Sequence, residues 1–123
     1  MTTKQPEQLA AHILKQFTGS ENWYRHPFNR KVLFTDGAKH VADAGQAYWL
    51  IDEIALAQLQ KTIAAEAFQV WRLKVNDDRT ATLSCDDGNN NIVFTKPIEF
   101  TDFPVKEITL WFENNTIYLP SER

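Results

Sequence analysis

The feature that most constrains the fold is the second half of the chain, where short β-branched and aromatic runs are cut by turn residues. Residues 68–75, 80–86, 91–100, 107–113 and 116–119 read as five strands. Each face of a strand repeats every two residues, so the intervening turns can be tested by parity. A three-residue loop at Asp77-Asp78-Arg79 sets Val75, Leu73 and Trp71 opposite Ala81, Leu83 and Cys85. A two-residue turn at Asn114-Asn115 sets Phe112 opposite Ile117 and Leu110 opposite Leu119. A two-residue turn at Gly88-Asn89, with glycine supplying the positive φ, sets Cys85 opposite Ile92 and Leu83 opposite Phe94. Each turn matches apolar against apolar, which predicts an antiparallel meander with one apolar face. Pro97 cannot donate to a ladder, so the third run bends there or lies on an edge. Pro104 closes the segment before the fourth strand.

The first half has helical texture. Leu9, Ile13 and Phe17 recur every four residues, predicting a short helix that starts at Pro6 and stops before Gly19. Residues 20–30 scatter Trp23, Tyr24, Pro27 and Phe28 among polar residues and read as an ordered loop. Residues 31–34 read as a brief strand ended by a Thr35-Asp36-Gly37 turn. A second helical region spans 38–65, broken at Ala44-Gly45, with the central helix starting near Gln46. Its Tyr48, Trp49, Leu50, Ile51, Ile54, Leu56, Leu59 and Ile63 predict burial of most of the helix circumference. The class is therefore α+β: N-terminal helices, then an antiparallel β-meander of about five strands, with the central helix packed on one face. Residues 1–5 read as a disordered N-terminus and 6–123 as a single domain, long enough to hold a core without metals or disulfides.

Composition narrows the function classes. Thirteen basic against sixteen acidic residues give a net charge of −3, which argues against broad, charge-driven binding of nucleic acid. One cysteine, Cys85, removes any disulfide framework and fits a reducing compartment. The polar start lacks the apolar segment of a secretory signal, and no apolar run approaches the ~18 residues of a membrane span. The expectation is a cytoplasmic protein with no membrane partner.

Few residues carry a chemical signal. Asp36, Asp86, Asp87 and Asp102 sit at turns, where aspartate favours bonds to nearby amides; the alternative is a carboxylate cluster for a cation or for acid–base work. The stretch 86–91 lacks the glutamate of a calcium loop. His12, His26 and His40 lie fourteen positions apart, so no helix presents two of them to one metal. His26, in Tyr24-Arg25-His26-Pro27, is the one placed to grip an anion together with Arg25, or else to bond a carbonyl beneath a packed loop. Cys85 is predicted on the inner face, where a thiol behaves as a small apolar group. No nucleophile elbow or glycine-rich phosphate loop is present, and neither a metal site nor a cofactor is read from the residues. Trp111 and Tyr118 form a predicted cross-strand pair on the outer face. They are either an exposed anchor or the base of a second small core beneath Trp23 and Tyr24.

In combination, several segments resemble a known family. They are Phe17-Thr18-Gly19-Ser20, Trp23-Tyr24-Arg25-His26, Thr35-Asp36-Gly37, Tyr48-Trp49-Leu50-Ile51-Asp52, Asp86-Asp87-Gly88-Asn89, Thr101-Asp102-Phe103-Pro104 and Leu119-Pro120-Ser121-Glu122. Together they resemble a family of small uncharacterised bacterial proteins, a domain of unknown function associated with cyanobacteria, plasmids and phages. The resemblance implies an intracellular protein linked to mobile elements and brings no activity, cofactor or catalytic residue.

The leading functional reading is a non-enzymatic binding domain, with a protein partner ahead of a small molecule. One version is a modulator or inhibitor of a host protein that fills a basic groove with Asp77-Asp78, Asp86-Asp87 and Glu21. The residues singled out for binding are Trp23, Arg25 and His26 with Asp36 and Asp102, all on predicted loops. A small hydrolase or metal-dependent enzyme is the first alternative; it requires Asp36, His26, Asp87 or Asp102 to converge. The second is a homodimerisation module using Trp111 and Tyr118 or an edge strand.

Overall fold

The computed structural model describes residues 4–123. After a 3₁₀ turn at Pro6–Leu9 come α1 (Ala11–Leu14), β1 (Trp23–Arg25), β2 (Leu33–Thr35), α2 (Asp36–Gly45), α3 (Tyr48–Ala57) and α4 (Lys61–Ala64). Then follow β3 (Phe68–Val75), β4 (Ala81–Asp86), β5 (Ile92–Ile98), β6 (Glu107–Glu113), β7 (Thr116–Tyr118) and a closing 3₁₀ turn at Pro120–Glu122. The class is α+β, and the strands form one seven-stranded sheet in the order β1-β2-β7-β6-β3-β4-β5.

Two of the three turns have the predicted register. Across β3 and β4, Val75, Leu73 and Trp71 face Ala81, Leu83 and Cys85. The loop between them is closed by the Asn76 amide on the Thr80 carbonyl, with Arg79 at φ 70°. Across β6 and β7, Phe112 faces Ile117, and Asn114 and Asn115 both take positive φ, as a tight I′ hairpin requires.

The third turn is different. Cys85 faces Phe94, Leu83 faces Lys96, and a bulge at Cys85/Asp86 sets Asp86 opposite Ile92. The Asp86 carboxylate accepts the Gly88 amide at 2.7 Å, and Asp87 accepts the amides of Asn89 and Asn91 at 2.8 and 3.3 Å. These side-chain bonds favour a longer loop over a two-residue turn. The slip of two residues preserves parity, so Phe94 still packs on the core, while Ile92 is left exposed.

The five-strand antiparallel meander is corrected in two respects. Strands β1 and β2 extend the sheet, and β2 runs parallel to β7, with Leu33 beside Thr116 and Phe34 beside Ile117. The strand after β5 also does not pair with it; β6 returns to the free side of β3. The segment between them is tied across the β3–β4 loop. The Thr101 amide bonds the Arg79 carbonyl at 2.8 Å, and the Arg79 guanidinium bonds the carbonyls of Thr101 and Phe103 at 3.1 and 2.9 Å. The buried Phe103 ring then fills the space beside Gly45, where an added Cβ would meet it at 2.6 Å.

The helical half is also rearranged. Thr35-Asp36-Gly37 is a helix start, with the Thr35 hydroxyl capping the Ala38 amide of the ten-residue α2. The Glu122 carboxylate adds bonds to the Thr35 hydroxyl at 2.6 Å and the Gly37 amide at 3.1 Å. The region read as one central helix is α3 and α4, parted at residues 58–60. The expected first helix is two short pieces meeting at Ala10. As predicted, α3 packs on one face of the sheet: Leu50, Ile51 and Ile54 are buried with Trp71, Leu83, Leu110 and Leu119. Its circumference is less covered than predicted, since Tyr48 and Leu56 remain exposed, as does Leu59 just beyond it. The expected disorder over 1–5 lies, for residues 1–3, outside the described residues. Gln5 donates to the Ala44 carbonyl at 2.8 Å, and Lys4 pairs with Asp102 at 2.8 Å.

Candidate functional site

The candidate site forms around β1, the short strand at one edge of the sheet, and the loop that leads from it to β2. Asp36, in the first turn of α2, organises the approach. One carboxylate oxygen accepts the backbone amides of Glu21 and Asn22, each at 3.2 Å; the other accepts the Tyr24 hydroxyl at 2.9 Å. Partial desolvation raises the Asp36 pKa, but the bonds from Tyr24, Asn22 and Glu21 outweigh it and hold the carboxyl below its ordinary value. The same hydrogen bond to Asp36 is the largest cause raising the Tyr24 phenol.

His26 organises the far side of the loop. It is 1% exposed, and its amide bonds the Val32 carbonyl. Its Nδ1 accepts the amides of Phe28 and Asn29 at 3.2 and 3.0 Å. That nitrogen must therefore be unprotonated, which assigns the proton to Nε2, 2.7 Å from the Asp52 carboxylate on α3. Asn29 anchors the loop again, donating to the Ala55 carbonyl at 2.9 Å. Both ring nitrogens of His26 are thus engaged, and neither is open to take a proton from a substrate.

What this scaffold presents outward is apolar and basic. Phe28 is 74% exposed and Leu59, just past α3, is 69% exposed. Both line a cavity of about 670 Å³ together with Val32, Phe112, Arg30 and Lys31. The Arg25 guanidinium donates to the Arg30 carbonyl. Arg25, Arg30, Lys31 and Lys61 have no ion-pair partner among the described residues. Trp23 stands exposed on β1 and lines a smaller groove of about 270 Å³ with Tyr118 and Arg123.

The remaining candidate residues are not brought to this place. Asp102 lies beside the C-terminal end of α2 and Asp36 at its start, separated by the helix length of ~13 Å. The hydrogen bond from Lys4 is the main cause that holds the Asp102 carboxyl below its ordinary range. Asp87 sits in the β4–β5 loop, lowered chiefly by its bond from Asn91. Among the described residues, no three His, Cys, Asp or Glu side chains are grouped to hold a metal ion. Cys85 is fully buried, and burial, with the nearby charges of Asp86 and Glu66, pushes its thiol up to about 12. Cations also interrupt the acidic loops: Lys106 stands 3.9 Å from Asp77, and Arg72 pairs with Asp86.

Trp111 and Tyr118 do form a cross-strand pair, edge to face at 6.1 Å. The pair is flanked by Phe68 and by the Arg123 guanidinium, 5.6 Å from the Trp111 ring; Trp23 shares a groove with Tyr118, and Tyr24 stacks on Phe34. Tyr118 is only 8% exposed, and burial together with Glu113 pushes its phenol up to about 12.

Residues that the sequence reading did not single out for a site are Asp52, Phe28, Arg30, Lys31 and Leu59; it expected Leu59 to be buried, and the structure exposes it. Leu59 has a local signal, because it stands between Gln58 and Gln60 at the end of an apolar helix. Asp52 has none, since its partner His26 is 26 residues away.

Fold and site together define an α+β domain whose polar side chains hold loops in place. In it two exposed apolar residues, Phe28 and Leu59, line one cavity with Arg30 and Lys31, cations unpaired among the described residues. The chain belongs to a family of unknown function (DUF6876), whose model matches residues 8–123, as the motif resemblance implied. No curated protein and no solved structure matches it. Among the described residues, no helix is long and apolar enough to cross a membrane.

Proposed function

We propose that this protein is a non-enzymatic, intracellular binding domain that engages a protein partner through the face formed by β1, the 26–32 loop and the end of α3. Trp23 and Arg25 contact the partner beside Phe28 and Leu59. His26 and Asp36 act as positioning residues, and Asp102 serves the opposite end of α2. The observation that carries the reading is the display of Phe28 and Leu59 around one cavity, on a loop held rigid by buried polar bonds. Large apolar side chains exposed side by side mark interaction sites, and a pre-ordered loop lowers the entropic cost of binding. The single unpaired cysteine supports the intracellular setting.

Affinity purification from the native host, with mass spectrometry, compares wild-type bait with Phe28→Asp and Phe100→Asp. Phe100 is equally exposed but lies at the other edge of the sheet. The reading expects the partner to be lost with Phe28→Asp and kept with Phe100→Asp. A partner kept by both baits contradicts it.

A further inference from the structure

Resting on that binding reading, we infer that the Phe28–Leu59 cavity takes an acidic peptide segment from another protein, anchored by one aromatic or long aliphatic side chain. Charge is the first ground. The chain carries a net −3, yet Arg30 and Lys31 line this cavity, with Arg25 and Lys61 close by in sequence, all without an ion-pair partner among the described residues. Elsewhere Lys4, Lys39, Arg72, Lys96, Lys106 and Arg123 each stand beside a carboxylate, while among the described residues Lys15, Lys74 and Arg79 do not. What sets Arg30 and Lys31 apart is that they are adjacent and line one cavity with Phe28 and Leu59. The lining itself contains no acid, and Asp52 on α3 already accepts from His26. Two unneutralised cations lining a pocket that also holds Phe28 and Leu59 steer and retain a negatively charged partner.

Shape is the second ground. A volume of about 670 Å³ exceeds what one apolar side chain fills, so an anchor and the flanking backbone fit together. The lining mixes aliphatic Leu59, Val32 and Ala64 with polar residues and two rings. Phe112 is buried, so Phe28 alone is an exposed ring there, whereas single-stranded nucleic acid stacks on a succession of them. This favours a peptide over a nucleic acid.

The chain itself carries one segment of matching chemistry, Glu99-Phe100-Thr101-Asp102, with Phe100 70% exposed. That segment is not free to insert. Asp102 pairs with Lys4, Thr101 is buried, and Arg79 grips the carbonyls of Thr101 and Phe103. A copy docked this way would also continue head to tail without closing unless the rotation happened to form a ring. The occupant is therefore a foreign segment.

Selection from a random peptide display library against the full chain tests the inference, followed by fluorescence anisotropy on the enriched sequences. Enriched peptides should carry Asp or Glu on both sides of Phe, Trp or Leu. Phe28→Ala should weaken them by about tenfold or more, as truncation of a buried anchor does. The pair Arg30→Glu and Lys31→Glu should weaken them to a similar degree and reverse the salt dependence. Phe100→Ala should change nothing. Enriched peptides that lack acidic residues yet need Phe28 would overturn the inference and leave the binding face standing. Peptides insensitive to both sets of substitutions, or no enrichment at all, would overturn both. Tight binding of labelled oligo(dT) at Arg30 and Lys31 would replace the peptide by nucleic acid. Self-association in sedimentation velocity that Phe100→Ala abolishes would replace it by a second copy.

Discussion

The middle of the sheet and the segment from Ser20 to Thr35 are held in different proportions by apolar burial and by polar bonds. In β3, β4 and β6, alternate side chains enter one apolar core, and the ladders between them are six and seven residues long. Strands β1 and β2 are three residues each, too short to hold themselves by pairing. Val32 and Phe34 anchor the segment in the core, and the rest is ordered by polar side chains that bond backbone groups: Asp36 to residues 21 and 22, His26 to residues 28 and 29, Asn29 to residue 55. Apolar burial leaves a smooth sheet, whereas polar pins let a loop project Phe28 into solvent without losing its shape. The proposed binding face uses such a loop, with its exposed ring.

The contrast can be broken from either side. Leu83→Ala, at a fully buried position in β4, should cost about 2–5 kcal/mol of global stability, read by chemical denaturation. A loss under about 1 kcal/mol would mean the core is not where the packing places it. His26→Ala should cost less, about 1–3 kcal/mol, because it strands two amide donors and an aspartate that water can partly reclaim. Its signature is local: amide hydrogen exchange should accelerate at Phe28 and Asn29 while Leu73 stays protected. Uniform acceleration would place His26 in the core economy instead.

Asp36→Asn separates the two regions by pH. The folded Asp36 carboxyl titrates below its unfolded value, so its contribution is present above the unfolded pKa and fades as pH falls through the folded one. The variant should therefore be less stable than wild type at neutral pH and converge with it in acid, as followed by denaturation across pH. A constant difference down to strong acid would show that the carboxylate charge is not what orders residues 20–22. Phe28→Ala should be the mildest, within about 0.5 kcal/mol of wild type, since its ring is already in water. A large loss of stability there would make Phe28 a packing residue and remove it from the binding face.

The same division explains which parts were legible from the residues. The β3–β4 and β6–β7 registers follow from local alternation and short turns, so Val75 opposite Ala81 and Phe112 opposite Ile117 could be read directly. The β4–β5 turn could not, because Asp86 and Asp87 bond backbone amides and lengthen the loop. Thr35-Asp36 is ambiguous by nature, since the residues that favour turns also cap helices. β1 has three residues and no readable period, and the position of β6 depends on Arg79 reaching Thr101 and Phe103. Of the candidate site, Trp23, Arg25, His26 and Asp36 do gather around β1, whereas Asp102 was chosen by the same loop criterion and lies elsewhere. Leu59 carries a local signal, but Arg30 and Lys31 became visible only when folding put them around one cavity with it.

The claim on which the rest depends is that His26 is a loop pin rather than a base, and its ring tautomer reports this directly. Long-range proton–nitrogen NMR correlations at mildly alkaline pH should show the His26 proton on Nε2, facing Asp52, and an unprotonated Nδ1 shifted as a hydrogen-bond acceptor. A proton on Nδ1 would break the bonds to Phe28 and Asn29 and leave Nε2 open for chemistry, contradicting the account.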